Sequence, residues 1–184
     1  MVLTSLIKMV KGTCHHITSP DKNGVGMTVI SHDSESRTPV NGCDDKGYYS
    51  RDINYTEASL LQLASITHCE QFIKYECLGS LMFKPNIYAW WVSRDSAKMT
   101  YWGGAAPGSR KCACGMNSSC AKSNLACNCD ANDQEWREDS GFLTDKAYLP
   151  VKQLRFGDIT HGVHHNFDEH GYHTLGKFKC YGIA

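Results

Sequence analysis

Cysteine is the residue type in this chain best suited to covalent or metal chemistry, and it is unevenly distributed. Five of the ten cysteines lie between positions 112 and 129, as two Cys-x-Cys pairs and one single residue. Structural zinc sites usually separate paired ligands by about two to four residues, whereas one residue intervenes in each pair here. The spacing therefore favours disulfides to more distant cysteines over zinc. The ten candidates are Cys14, Cys43, Cys69, Cys77, Cys112, Cys114, Cys120, Cys127, Cys129 and Cys180.

Two N-glycosylation sequons accompany the cysteines. One begins at Asn54 and the other at Asn117, inside the cysteine cluster. Disulfide formation and N-glycosylation both belong to the secretory pathway. The chain is therefore predicted to be extracellular, either secreted or the ectodomain fragment of a membrane protein. Its first residues are apolar but are interrupted by Lys8 and carry no clear cleavage site, which favours a fragment of a longer protein.

Length and charge narrow the classes of function. The chain has 184 residues, enough for one ordinary domain, and its formal net charge is zero at pH 7. It thus lacks the basic surface expected of a nucleic-acid-binding protein. There is no nucleophile elbow, and Gly103-Gly104 is not followed by the Lys-Ser/Thr of a phosphate-binding loop. Oxidised cysteines leave no thiol nucleophile, so no enzymatic activity is expected.

Hydrophobic periodicity predicts an α+β fold with a mainly antiparallel sheet, few short helices and long disulfide-stapled loops. The clearest helix spans 56–67, where Leu60 and Leu63 belong to one apolar stripe that follows Thr56 as N-cap. Further elements are predicted as strands at 26–32, 72–77, 149–156 and 177–181, an aromatic hairpin at 88–102 and a second short helix at 132–139.

These elements are expected to form one antiparallel sheet. It would contain the strands 72–77 and 151–156 and the hairpin 88–102, with the helix 56–67 packed on one face. Residues that alternate along the strands should be buried, among them Ile73, Tyr75, Cys77 and one of the neighbours Trp90 and Trp91. The backbone of the glycine-rich loop 103–108 should bend tightly or make a close approach to something else.

Three further groups of residues have a functional and a structural interpretation. Asp130, Asn132 and Asp133 offer oxygen ligands for calcium, but they lack the pattern of an EF-hand loop and Asp130 could instead cap a helix. No metal is therefore assigned, and calcium stays a weak candidate. The histidines His161, His164, His165, His170 and His173 are interpreted as a solvated loop, and the aromatics Trp90, Trp91, Tyr101, Trp102 and Trp136 mainly as core rather than as a sugar platform.

Several longer motifs occur in a characteristic order. They are HCEQFIKYEC at 68–77, WWV at 90–92, TYWGGAAPGSRKCACG at 100–115, CNCDAN at 127–132, FLTDKAYLPV at 142–151 and LGKFKCYG at 175–182. In this order they resemble the fibrinogen-like module of the contactin-associated proteins and neurexin IV, and more distantly the fibrillar-collagen C-propeptide. The resemblance implies a fibrinogen C-terminal-like domain at 24–184, preceded by a poorly matching segment at 1–23.

The resemblance also implies that Cys180 bonds to a cysteine of the N-terminal half. Cys77, which is expected to face inward, should bond to a member of the 112–129 cluster. Four or five bridges are expected in all, without a metal or another cofactor.

The function implied by the resemblance is that of a non-catalytic recognition or cell-adhesion module that binds a cell-surface or extracellular-matrix protein. The contact loops would be 103–110 and the disulfide-clamped segment 112–129, with Arg110 and Lys111 at their rim. Two alternatives stay open at this point. One is a lectin-like fibrinogen-related protein that binds glycans, with or without calcium, and the other is a matrix-assembly fragment.

Overall fold

The computed structural model describes residues 27–56, 68–160 and 168–182. The predictions for Cys14, for the segment 1–23 and for the helix beyond Thr56 fall outside these residues, as do those for Leu60, Leu63, His161, His164 and His165. In chain order the elements are β1 (Met27–Ile30), β2 (Thr38–Pro39), β3 (Tyr49–Asp52), β4 (His68–Leu78), β5 (Trp90–Val92), β6 (Lys98–Met99), α1 (Ala113–Met116), a 3-10 helix (Cys129–Ala131), β7 (Arg137–Leu143), β8 (Gln153–Phe156) and β9 (His170–Tyr181).

The strands form two sheets whose pairings are all antiparallel. The prediction of a mainly antiparallel, sheet-rich fold is therefore confirmed. Within the described ranges, helix is limited to α1 and the 3-10 turn. No helix in this part of the chain has the length and apolar character needed to cross a membrane.

The first sheet has the order β1-β9-β4-β7, with β2 also paired to β9. Its central strand β4 alternates strictly, as the sequence predicted. Ile73, Tyr75 and Cys77 are buried, while Lys74 and Glu76 between them are only partly covered. One face of this sheet is therefore core and the other faces solvent.

The second sheet has the order β3-β8-β5-β6. The predicted aromatic hairpin is confirmed as β5 and β6, with Trp91 opposite Met99, and Trp91 is fully buried. The prediction that the hairpin, the strand 151–156 and β4 share one sheet is wrong. Both edges of β4 are occupied, by β7 and by β9, so β5 and β8 pair with each other instead.

Two further predictions are corrected by the pairing of β4. The predicted helix 132–139 is absent from the structure: Asn132 adopts a left-handed conformation (φ 45°) that ends the 3-10 turn, and β7 begins at Arg137. The last strand begins at His170, well before the predicted 177, because β4 pairs with it along nearly its whole length. The predicted strands 26–32 and 149–156 are present as the shorter β1 and β8.

Aromatic rings join the two sheets through the core. Phe156 of β8 stacks on Tyr75 of β4, with 4.4 Å between ring centroids and 17° between planes. The same ring lies parallel to His173 of β9 at 5.8 Å and edge-on to Trp102 at the same distance. All four rings are at most 2% exposed. Phe156 is therefore the centre of the interface between the sheets.

A buried glutamine links the sheets by hydrogen bonds. The Gln71 side chain accepts from the Val151 N–H at 3.0 Å and donates to the Gly176 carbonyl at 3.1 Å. It also donates to the Tyr55 hydroxyl at 2.9 Å, which in turn donates to the Val151 carbonyl at 2.7 Å. Gln71 is fully buried. The Gly176 carbonyl also accepts from His32 Nε2 at 2.9 Å, so the group that depends most on Gln71 is the Val151 N–H.

We predict that Gln71→Leu destabilises the fold by about 2–4 kcal/mol, because the Val151 N–H and the Gly176 carbonyl lose buried partners. Denaturant unfolding with intact disulfides measures the change. Gln134→Leu, at an exposed position, is the matched control and should alter the free energy of unfolding by less than about 0.5 kcal/mol. Equal effects of the two substitutions would contradict the structural role given to Gln71.

Candidate functional site

Among the described residues, four disulfides connect eight cysteines. Cys112–Cys127 and Cys114–Cys120 close the 112–129 segment on itself, and Cys77–Cys129 ties it to β4. Cys69–Cys180 joins β4 to β9 at the other end of the sheet. Cys43 has no disulfide partner within the described residues.

These pairings match the expectations for Cys77 and Cys180. Cys77 bonds to a member of the cluster, and Cys180 to Cys69 of the N-terminal half. The cysteines of each Cys-x-Cys pair bond to separate partners: Cys112 and Cys114 to Cys127 and Cys120, and Cys127 and Cys129 to Cys112 and Cys77. Crosslinks of this kind restrict the conformations of the unfolded chain and of the loop itself.

Two buried carboxylates fasten the disulfide-clamped loop to the sheets. Asp130 accepts hydrogen bonds from the backbone N–H groups of residues 82, 83 and 84 through Oδ1 and from Cys127 N–H through Oδ2, at 2.9–3.2 Å. Asp139 of β7 accepts from the N–H groups of Asn128 and Cys129, at 3.0 and 2.9 Å. Together they satisfy six backbone donors that no secondary-structure ladder serves.

Burial has the largest effect on the pKa of both carboxyl groups. Desolvation raises the pKa of Asp139 to about 6, although its two backbone hydrogen bonds oppose the rise. Desolvation likewise raises the pKa of Asp130 against the effect of its four N–H donors. Both side chains are thus fixed acceptors in a poorly hydrated environment.

The weak calcium candidates are engaged in different contacts. Asp130 is occupied by backbone donors, as described, and does not cap a following helix. Asp133 binds Arg137 through two bonds of 2.8 and 2.7 Å and Lys122 at 3.0 Å. The Arg137 hydrogen bonds hold the pKa of the Asp133 carboxyl well below its usual range. Asn132 is exposed at the end of the 3-10 turn.

One group of potential metal ligands lies close together in the described chain. It comprises Cys112, Cys127 and Asp139, whose ligand atoms lie within 4.8 Å of one another. Cys112 and Cys127 are bonded to each other, so neither sulfur is a thiolate ligand. The proximity of Asp139 is explained by its role as backbone acceptor in the same cluster.

The glycine-rich loop packs tightly against β7, as predicted. A Cβ added at Gly103 would collide with the carbonyl group of Gly141, and Gly104 has a left-handed φ of +79°. After this loop the chain presents Arg110 and Lys111, both exposed. Arg110 also has a positive φ of 55°, a conformation that only well-supported loops maintain.

Lys111 belongs to a shallow depression of about 250 Å³ on the surface of the clamped loop. Lys84 and Lys122 line it as well. Lys84 Nζ donates to the Asn124 carbonyl at 2.6 Å, while Lys122 pairs with Asp133. We call the exposed residues of 103–110 and 112–129, with these lysines, the loop surface.

The aromatic residues divide between core and surface. Trp91, Tyr101 and Trp102 are buried, which confirms the interpretation of most of the set as core. Trp90 is partly buried beneath Lys98, whose Nζ lies 3.6 Å from the ring centroid. Trp136 is 54% exposed.

His173 overturns part of the interpretation of the histidines as a solvated loop. It lies on β9, is fully buried, and its Nε2 hydrogen-bonds the Tyr49 hydroxyl at 2.8 Å. Desolvation lowers the pKa of His173 to about 4, so its imidazole is neutral at physiological pH. The polarity of the surrounding sequence concealed a strand whose alternate residues face the core.

Sequence reasoning missed the role of Asp139 and a cluster around Trp136. Tyr172 and Arg37 of this cluster were not singled out, although the guanidinium carbon of Arg37 lies 3.4 Å from the centroid of the Tyr172 ring. The signal available was the period-two alternation of β4, which places Glu76 on the solvent face beside Tyr172.

We predict that Asp130→Ala destabilises the protein by about 3–5 kcal/mol, because four backbone N–H groups lose their acceptor. Asp130→Asn keeps an acceptor for three of them and should cost about 1–2 kcal/mol. Thermal and denaturant unfolding measure both. Asp133→Asn, at an ion pair near the surface, is the control and should cost less than about 1 kcal/mol. A smaller effect of Asp130→Ala than of Asp133→Asn would contradict this assignment.

Comparison with known proteins identifies relatives of this chain that agree with one another. No protein-family model matches the chain. It is 36% identical to neurexin-4 of Drosophila melanogaster over 171 residues, which is 87% of the chain and 13% of that protein. It is 34% identical to contactin-associated protein 1 of Homo sapiens over 162 residues, 84% of the chain and 11% of that protein. The chain thus spans about an eighth of the length of these relatives, and within that segment it belongs to the contactin-associated protein and neurexin-4 family.

Proposed function

We propose that the chain is a non-catalytic extracellular recognition module with a fibrinogen-like fold, which mediates cell adhesion by binding a cell-surface or matrix protein through its loop surface. The observation that carries this proposal is the loop 112–129, which three disulfides hold in place. The chain that presents this loop is a relative of neurexin-4 and contactin-associated protein 1. The four disulfides and the family place the chain outside the cell.

The construction of the loop supports a binding role. Two disulfides lie within the segment, a third joins it to β4, and Asp130 and Asp139 fix its backbone. A loop ordered before contact loses less conformational entropy on binding. The side chains that project from it are consequently presented in a defined arrangement.

The rim of the loop surface carries positive charge. Arg110, Lys111 and Lys84 are exposed, and the residues that line the depression include lysines but no carboxylate. Exposed charges at the rim of an interface act mainly on the rate of association. The proposal therefore favours a partner whose contact surface is acidic.

We predict that Arg110→Ala combined with Lys111→Ala weakens cell binding by about three- to tenfold, mainly through a slower association rate. Flow cytometry with a multimeric form of the secreted domain on neuronal or epithelial cells measures binding. The fold should persist, because both side chains are exposed and the Lys111 carbonyl that accepts from Trp102 N–H is retained. Lys177→Ala with Lys179→Ala, on β9, is the matched control and should leave binding unchanged.

Three treatments of the cells or buffer separate the alternatives. Mild trypsin treatment of the cells should abolish binding, whereas a calcium chelator and free N-acetylglucosamine should not. Binding that depends on calcium and competes with the sugar would replace the proposal with a lectin function. A trimer of the isolated chain in sedimentation would instead favour matrix assembly.

We also propose that Asn117 carries an N-glycan. Its side chain is exposed at the end of α1, whereas the Asn54 amide Nδ2 donates to Asp33 Oδ2 at 2.8 Å. Asn117→Gln should therefore remove more of the glycosidase-sensitive mass of the secreted protein than Asn54→Gln. Electrophoresis before and after glycosidase treatment measures both. A mass insensitive to glycosidase would contradict glycosylation at either site.

A further inference from the structure

An exposed aromatic cluster lies on the solvent face of the first sheet, near the start of β9. Trp136 is 54% exposed. Its ring lies 6.2 Å from that of His170, with 21° between planes, and 5.8 Å from that of Tyr172. Arg37 in turn covers Tyr172 at 3.4 Å. The indole is thus supported by its neighbours while about half of its surface stays accessible.

Charged side chains surround this ring in a fixed arrangement. The register places Glu76 of β4 beside Tyr172 of β9 on one side and Glu138 of β7 on the other. With Arg37, Trp136 and Arg137, the two glutamates line an open depression of about 390 Å³. We call these five lining residues and Tyr172 the Trp136 surface.

Positive and negative side chains are equally numerous among the residues that line the depression of the Trp136 surface. The depression is lined by two arginines and two glutamates. Arg37 Nε binds Glu76 Oε2 at 3.0 Å. Lys74 Nζ lies 3.2 Å from the same oxygen and 3.8 Å from Glu138 Oε2, and Arg137 is held by Asp133 and Glu135. Arg37 uses only its Nε in its pair with Glu76, and Glu138 is 57% exposed, so donors and acceptors stay available around the ring. Because each charged residue at the site already has an oppositely charged neighbour, a strongly charged ligand would meet like as well as opposite charges.

We propose that the Trp136 surface binds a neutral pyranose ring of a glycan. The C–H face of a pyranose packs on a flat aromatic ring, and its hydroxyl groups both donate and accept hydrogen bonds. Trp136 supplies the ring, while Arg37 supplies donors and Glu138 acceptors at its edge. An exposed aromatic ring edged by hydrogen-bonding groups thus offers both kinds of contact that a pyranose makes.

This site differs from the loop surface and needs neither Arg110 nor Lys111. The proposed function and the glycan site can therefore fail separately. Loss of cell binding in the Arg110 and Lys111 double variant tests the former. Sugar binding that depends on Trp136 tests the latter.

Saturation-transfer NMR on the secreted, disulfide-intact chain, after enzymatic removal of its own N-glycans, tests the proposal. The probes are the methyl glycosides of glucose, galactose, mannose and N-acetylglucosamine, with sialic acid and a sulfated glucosamine as charged comparators. At least one neutral glycoside should bind, with the strongest transfer to ring C–H protons. Binding should be insensitive to salt between 50 and 500 mM, roughly the range over which exposed charge pairs become screened.

Trp136→Ala should weaken the best glycoside at least tenfold, and Trp136→Phe should bind with intermediate affinity because it keeps an apolar ring. Arg37→Gln should weaken it several-fold by removing the guanidinium. Phe142→Ala is the matched control, since Phe142 is an exposed aromatic on β7 outside the Trp136 surface, and it should bind normally. Unfolding transitions of all four variants verify the fold, and Trp136→Phe and Arg37→Gln keep the test valid if Trp136→Ala unfolds.

Three results would overturn the proposal. The first is an absence of saturation transfer from every neutral glycoside, and the second is unchanged sugar binding in Trp136→Ala. The third is binding confined to the charged comparators and lost in high salt. If Trp136→Ala reduces cell binding while no glycoside binds, the Trp136 surface is a protein contact and the glycan assignment is wrong.

Discussion

The geometry of the loop surface depends on two carboxylates held away from water. Asp130 and Asp139 each lie at most 6% exposed, and between them they accept six backbone N–H groups. Those donors belong to two irregular segments, 82–84 and 127–129, so without the carboxylates they would lack these acceptors. Disulfides restrict how far the segment 112–129 moves, whereas the carboxylates select one backbone conformation within that range.

The two ends of the first sheet are specialised differently. Cys69 and Cys77 lie roughly 26 Å apart along β4, and each anchors a disulfide. At the Cys69 end, β1 and β9 bring the first and last described strands together. At the Cys77 end lie the clamped loop and the Trp136 surface, which are connected through Lys122, Asp133 and Arg137. The loop surface and the Trp136 surface thus lie at the end of β4 opposite to the Cys69–Cys180 bond.

Local alternation made the strands and many buried residues predictable from sequence, as Ile73, Tyr75 and Trp91 illustrate. Pairing between distant strands was not predictable, because the apolar alternation of β8 is compatible with either sheet. Its place in the second sheet follows from the pairing of both edges of β4 with β7 and β9. The predicted helix 132–139 failed since pairing with β4 overrides local propensity. In the site, the carboxyl group of Asp130 was recognised as a candidate ligand or cap. Three of its four backbone partners lie 46–48 residues away, beyond any local pattern.

The pairing of Met27 with Tyr181 determines how mechanical load enters the domain. Tension applied between Met27 and Tyr181 would open the β1–β9 ladder one hydrogen bond at a time. An antiparallel pair is weaker in this direction than in shear, where all its hydrogen bonds are loaded together. On the β9 side this peeling stops at Cys180, which is covalently joined to Cys69 of the central strand. The β1 side has no such crosslink among the described residues. A load applied across Met27 and Tyr181 would thus reach the β1–β9 ladder before the central strand, which the Cys69–Cys180 bond joins to β9.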